Sequence, residues 1–115
     1  MRSPITTHIL DTAQGHPAAG VYVTLEFQSP DDGWQSIGVG TTDSDGRIDD
    51  LLSVDKALAR GTYRLVFDTG TYHASTGRKT LHPRVTILFS VDDEDQHYHI
   101  PLLLSPFGYS TYRGS

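Results

Sequence analysis

Residues 21–33 read VYVTLEFQSPDDG, an alternating segment that ends in a turn. Apolar side chains stand at every second position from Val21 to Phe27, and Tyr, Thr and Glu fill the positions between them. Successive side chains of a β-strand point to opposite faces, so this pattern predicts a strand with one face in a core and the other in water. The proline, aspartates and glycine of residues 29–33 then predict a turn.

The same two signals recur on both sides of this segment. Further strands are predicted where apolar and β-branched residues are bounded by Gly, Pro or Asp clusters, over residues 5–10, 34–42, 47–48, 62–68, 85–91, 97–104 and 109–112. Residues 12–17 contain a glycine and a proline and are predicted to be a loop. Short strands at a spacing of roughly 8 to 12 residues favour a two-sheet sandwich over βαβ units.

One segment has the signals of a helix, residues 53–60. Ser53 can cap its start, Leu58 lies on its apolar face and Gly61 can end it. The sequence therefore predicts an all-β domain that contains one short helix.

The length and charge of the chain bound its organisation and its partners. At 115 residues it fits one domain, and we predict that residues 1–115 form a single unit. With 37% hydrophobic residues and no apolar run long enough to cross a bilayer, no membrane partner is expected. The formal net charge of -5 would repel a phosphate backbone, so nucleic acid is not expected either.

The chain has no cysteine, which excludes a disulfide framework and a thiolate nucleophile. Its first residues, MRSPITTH, do not resemble the apolar segment of a secretory signal. We therefore expect a cytoplasmic protein.

His97 and His99 are the most informative polar pair, because residues two apart on a strand project from the same face. Two interpretations stay open from the residues alone. In the first, His8 joins both histidines to bind a zinc ion that keeps one position open for water. In the second, one histidine of the pair acts as a base without a metal, and a nearby arginine lowers its pKa and keeps it neutral.

Three other motifs favour structural roles. Residues 43–46, DSDG, match the start of a calcium loop but lack the third acidic ligand and the downstream glutamate, so a tight turn is predicted just before Arg47. Ser110 lacks the second glycine of a nucleophile elbow. The acidic residues 92–95 are predicted to form a solvated hairpin end.

Three stretches carry a resemblance to a known family: HILDTAQGHPA at residues 8–18, DGR at residues 45–47 and HYHIPLLLSPFGYSTYRGS at residues 97–115. Together they resemble the transthyretin-like family of 5-hydroxyisourate hydrolases, and the terminal YRGS is the most specific part. The resemblance implies a transthyretin-like β-sandwich of two four-stranded sheets with one short α-helix. It also implies a homotetramer, a dimer of dimers with active sites at the dimer–dimer interface.

The reaction implied by this resemblance is hydrolysis of a ring amide of 5-hydroxyisourate in urate (purine) catabolism. The product is 2-oxo-4-hydroxy-4-carboxy-5-ureidoimidazoline, and no metal or organic cofactor is implied. Carried over by position, the implied catalytic residues are His8, Arg47, His99 and Ser115, while His8, Arg47 and Tyr112 contact the substrate. We expect His8 and His99 to hold and deprotonate a water while Arg47 stabilises the developing negative charge.

Two other functions stay open as alternatives. A transthyretin-like carrier would bind a small aromatic ligand without chemistry, because fold alone does not separate an enzyme from a carrier. A metal-dependent hydrolase would instead use a cluster of His8, His97 and His99. The sequence departs from the family pattern at residues 81–84, LHPR, where we expect an effect on local packing and not on the site.

Overall fold

The fold is known from a computed structural model, which describes residues 3–31, 33–52 and 58–115. The elements follow one another along the described chain as β1 (Ile5–Asp11), β2 (His16–Pro17), β3 (Tyr22–Gln28), β4 (Trp34–Thr41), β5 (Arg47–Ile48), β6 (Gly61–Phe67), α1 (Thr69–Ser75), β7 (Val85–Val91), β8 (Tyr98–Ser105) and β9 (Gly108–Thr111). Every predicted strand is present with bounds shifted by at most one residue, and β7 has the predicted bounds.

The strands form two sheets. One has the order β2-β1-β8-β9, with β5 also paired to β1, and the other has the order β4-β3-β6-β7. Strands β1 and β8 run parallel. The two-sheet sandwich is confirmed, but one sheet has five strands where four were expected. Strand β2 lies in the segment predicted to be a loop, because a two-residue strand shows no alternation from which to predict it.

The hydrophobic core lies between the two sheets. Along each strand, the alternation of side chains determines which of them are buried in this core. Val23 and Leu25 of β3 are 0% exposed, whereas Tyr22 is 49% exposed. In β8, Tyr98 and Ile100 are buried together with Leu102 and Leu104. The core is therefore built as the alternation predicted, and the opposite faces of β1 and β8 carry Thr6, His8 and His99 among apolar neighbours.

The described helix is not the predicted one. Residues 53–57 of the predicted helix lie outside the described residues, and residues 58–60 are not helical. Helix α1 instead spans Thr69–Ser75 and begins at Asp68, whose carboxylate accepts a hydrogen bond from the backbone N–H of Thr71 at 3.2 Å. Within the described parts of the chain, no helix is long and apolar enough to cross a bilayer.

A buried polar cluster joins the helix to the end of β1. We call it the Asp11 corner, and its members are Asp11, Tyr72, His73 and Arg78. The fully buried Asp11 carboxylate accepts hydrogen bonds from Tyr72 Oη at 2.7 Å and Arg78 Nη2 at 2.5 Å. Burial alone would raise the pKa of Asp11, but the hydrogen bonds from Arg78, Tyr72 and the backbone N–H of Gln14 outweigh it and lower the pKa from 3.8 to about 2.

Candidate active site

Three of the predicted site residues lie on one face of the five-stranded sheet, the face turned away from the core. We call it the outer face. The register places His8 of β1 directly opposite Arg47 of β5, and Thr6 of β1 directly opposite His99 of β8. Paired residues share a face of a sheet, and so do residues two apart on a strand. His8, Arg47 and His99 are therefore brought together by the pairing of three strands.

A tight turn places Arg47 at this position. The Asp43 carboxylate accepts hydrogen bonds from the backbone N–H groups of Asp45 at 2.9 Å and Arg47 at 3.0 Å. Gly46 has a φ of 75°, and a Cβ there would collide with the backbone oxygen of Ile9. The predicted turn is confirmed, and the Asp43 carboxylate holds backbone N–H groups as an Asx turn does.

Thr6 stands between two histidines. Its Oγ1 lies 3.0 Å from His97 Nε2 and 2.8 Å from His99 Nδ1. Thr6 is 1% exposed, and both histidines are half-buried. The two rings are nearly parallel, with an interplanar angle of 17° and centroids 6.4 Å apart. Thr6 was not predicted as a site residue, although its place two residues before His8 puts it on the same face of the strand.

The end of the chain is held against His99. Gly114 pairs with His99 as an isolated bridge, and its backbone N–H donates to the His99 carbonyl at 2.8 Å. A Cβ on Gly114 would overlap with the His99 ring. The Arg113 guanidinium lies 4.5 Å from the centre of the Tyr98 ring, a cation–π contact. Ser115 therefore follows directly after a backbone segment fixed on β8.

Tyr112 lies elsewhere in the single chain. It is 56% exposed and lines a groove of about 420 Å³ between β7 and the β8–β9 pair, together with Leu88, Tyr98 and Arg113. None of His8, Arg47, His99 and Ser115 lines this groove. The structure thus joins His8, Arg47 and His99 on one face and places Tyr112 beside a different opening.

The metal alternative required His8, His97 and His99 to form a ligand cluster. Among residues 3–31, 33–52 and 58–115, no group of three or more His, Asp or Glu side chains is arranged to hold a metal ion.

The segment that departs from the family pattern, residues 81–84, packs against the turn between β8 and β9 and against the start of β9. Leu81 N–H donates to the Pro106 carbonyl at 2.9 Å, and the His82 ring meets the Tyr109 ring edge-on at 5.2 Å. Leu81 itself is 66% exposed.

Comparison with known proteins identifies the family. The sequence profile of the HIUase/Transthyretin family matches residues 5–114. The chain belongs to this family. One relative of the chain is a 5-hydroxyisourate hydrolase from Salmonella dublin. The two sequences are 49% identical over 111 residues, which cover 96% of this chain and 80% of the relative.

Two solved structures share the fold. Klebsiella pneumoniae 5-hydroxyisourate hydrolase matches with a TM-score of 0.84 and 37% identity, covering 96% of this chain and 98% of that one. Sea bream transthyretin in complex with thyroxine matches with a TM-score of 0.91 and 34% identity, covering 97% of this chain and 95% of that one. Because both kinds of protein superpose this well, the backbone alone does not choose between hydrolysis and ligand carriage.

Proposed function

We propose that this chain hydrolyses 5-hydroxyisourate to 2-oxo-4-hydroxy-4-carboxy-5-ureidoimidazoline in urate degradation. The observation that carries the proposal is the pairing that puts His8 opposite Arg47 and sets His99 on the same outer face. The similarity to the Salmonella hydrolase, 49% identical across 96% of this chain, supports the same substrate.

In the proposed mechanism, His8 and His99 hold a water and take its proton as the oxygen attacks a ring carbonyl carbon. The carbonyl oxygen becomes an oxyanion, which the Arg47 guanidinium stabilises by charge and hydrogen bonding. The C–N bond then breaks, and the proton held on the histidine passes to the leaving nitrogen. No metal or organic cofactor is needed for these steps. Ser115 would hydrogen-bond within this network, and Tyr112 would contact the substrate.

The proposed assembly is a homotetramer, a dimer of dimers with the active sites at the dimer–dimer interface. Arg47 and Ser115 are exposed in the single chain, so the site lies on an open face that a second subunit would cover and shield from water. Of the described strands, β7 and β9 are each paired on one side only, and Leu88 on β7 is 63% exposed. Open strand edges with apolar side chains favour association with another copy.

We place the reaction in the cytoplasm. The chain has no cysteine, so its folding requires no oxidising compartment. Fractionation of the native host with an antibody against the chain tests this assignment.

One assay tests the activity. Freshly generated 5-hydroxyisourate is followed by ultraviolet absorbance with and without the protein, and with and without a chelator. We expect acceleration over spontaneous decay that the chelator does not change. No acceleration would leave the carrier alternative standing, which thyroxine binding measured by calorimetry then tests. Loss of activity with the chelator would instead favour a metal-dependent hydrolase.

A further inference from the structure

The Thr6 hydroxyl lies within hydrogen-bond distance of two imidazole nitrogens at once, His97 Nε2 at 3.0 Å and His99 Nδ1 at 2.8 Å. A hydroxyl has one proton to donate and lone pairs to accept with. It can therefore donate to one ring nitrogen and accept from the other, but it cannot donate to both. With neutral rings, the tautomers of His97 and His99 are coupled through Thr6.

The hydroxyl can also accept from both rings, in which case its own proton lies outside the bridge and His99 Nδ1 is again protonated. Two arrangements keep that proton within the bridge. In one, Thr6 donates to His97 Nε2 and accepts from a protonated His99 Nδ1, which puts the basic lone pair of His99 on Nε2. In the other, both roles are reversed, and the lone pair of His99 points at Thr6. Because Thr6 is 1% exposed, water cannot easily take over either role.

The packing around His99 favours the first arrangement for a base. Its Nδ1 faces Thr6, and its Cδ2 edge lies under the Gly114 backbone, where a Cβ would overlap with the ring. Because Nδ1 lies within hydrogen-bond distance of a buried protein hydroxyl, Nε2 is the ring nitrogen that we expect to take a proton from a water. It can do so only if Nδ1 carries the ring proton.

We propose that Thr6 is a positioning residue that, together with His97, holds His99 in the tautomer protonated at Nδ1; this rests on the proposed hydrolase function of His99. When Nε2 takes the proton of the water, the charged ring keeps its Nδ1–H bond to Thr6, and Thr6 keeps its own bond to His97 Nε2. The bridge stabilises the imidazolium without any further proton transfer. In this arrangement His97 Nε2 accepts the hydroxyl proton of Thr6.

Thr6→Val removes the hydroxyl with little change of shape, and Thr6→Ser keeps it. Thr7→Val is the matched control, because Thr7 is equally buried on the next position of β1 but donates its hydroxyl to the Ile100 carbonyl on the core side. We expect kcat to fall about 10- to 100-fold in Thr6→Val with little change in KM, less than the ~10⁴-fold loss known when a catalytic histidine is held in the wrong tautomer. Thr6→Ser and Thr7→Val should keep most of kcat.

The second readout needs no activity. Long-range proton–nitrogen NMR of the full chain labelled with ¹⁵N-histidine reports which ring nitrogen carries the proton, and the His99 signals are assigned by their loss in His99→Gln. In the wild type, above the histidine titration range, we expect His99 protonated at Nδ1, and in Thr6→Val a mixture of tautomers. A His99 protonated at Nε2 in the wild type, an unchanged tautomer in Thr6→Val, or an equal loss of kcat in Thr7→Val would each overturn the proposal. If the protein fails to hydrolyse 5-hydroxyisourate, the activity proposal falls while the NMR comparison still decides the role of Thr6.

Discussion

The outer face and the Asp11 corner both shield imidazole rings from water, but they differ in how far the rings are buried and in whether a polar side chain contacts them. On the outer face, the Thr6 hydroxyl stands between His97 and His99, and both rings are only half-buried. In the corner, His73 is fully buried, and neither of its ring nitrogens makes a hydrogen bond to a described residue. A ring with a polar partner and an accessible side can exchange a proton with a substrate, whereas an enclosed ring can only resist protonation.

The surroundings of His73 explain why it is neutral. Burial lowers its pKa, and the nearby positive charge of Arg78 lowers it further. The Asp11 carboxylate and the Ser105 backbone act in the opposite direction without outweighing these effects, and the geometry to Ser105 falls short of a hydrogen bond. The ring packs edge-on against Tyr72 with centroids 5.5 Å apart. Burial therefore does not by itself mark a catalytic histidine. We propose a catalytic role for the histidines of the outer face and a structural role for His73.

The largest expected effect separates the two regions by activity. His99→Ala removes a proposed base, so kcat should fall by about 10² to 10⁴, while His73→Phe keeps a ring in the corner and should change kcat little. Initial rates of 5-hydroxyisourate loss measure both variants, and circular dichroism checks that both are folded. His97→Ala should lie between them. An equally large loss in His73→Phe would end the distinction between the two regions.

The second effect tests how far the outer face extends. Removing residues 112–115 takes away the Gly114 backbone that lies against His99 and the proposed hydrogen-bonding group of Ser115. We expect at least a ~10²-fold loss of kcat, comparable to the loss of a group that stabilises a transition state, with the strand signal in circular dichroism retained.

The exposed Phe107 provides the control for this truncation, since it lies on the β8–β9 turn and is 69% exposed. Phe107→Ser should keep hydrolysis near the wild-type rate. A truncated protein with full activity would show that the end of the chain has no part in the site.

The strands could be predicted well from the sequence because most of them have their own alternating pattern and their own bounding turn residues. Val85–Val91 alternates between buried and exposed side chains and is bounded by turn residues, so local pattern and tertiary role agree. Helix α1 was missed because Gly70 and β-branched threonines are poor helix formers and the helix has only seven residues. What stabilises it is the buried hydrogen bond from Tyr72 to Asp11, two residues 61 positions apart, which no local pattern reveals.

The site was predictable to a smaller extent. His8, Arg47 and His99 came from a resemblance, and the structure adds the physical reason that they share a face, namely the register of β1 with β5 and β8. The role of Thr6 depends on a contact with His99 across 93 positions of the chain. Alternation puts Thr6 on the face of His8, but only the parallel pairing of β1 with β8 shows which histidines it meets.

The third effect concerns the stability that the corner supplies. The pKa of Asp11 is lowered from 3.8 to about 2, so its ionised form stabilises the fold by about 2 kcal/mol above pH 3.8, and this is lost as the pH falls toward 2. Asp11→Asn should lower the free energy of unfolding by about 2 kcal/mol at neutral pH. Urea unfolding at fixed protein concentration measures it, and Asp45→Asn, an exposed carboxylate, is the control. Equal losses in both variants would contradict a special role for the buried carboxylate.

The smallest effect is the pH dependence of the corner near neutrality. The pKa of His73 is lower in the folded protein than its ordinary value of 6.5, so the unfolded chain takes up the proton first as the pH falls. Wild-type stability should therefore decline below pH 6.5, and His73→Phe should remove that part of the decline. Unfolding free energies from pH 7.5 to 5 test this, with His16→Gln, an exposed histidine, as the control. If His73→Phe keeps the wild-type slope, the titrating group lies elsewhere. That result would contradict the proposal that burial of His73 in the Asp11 corner makes the stability of the fold depend on pH.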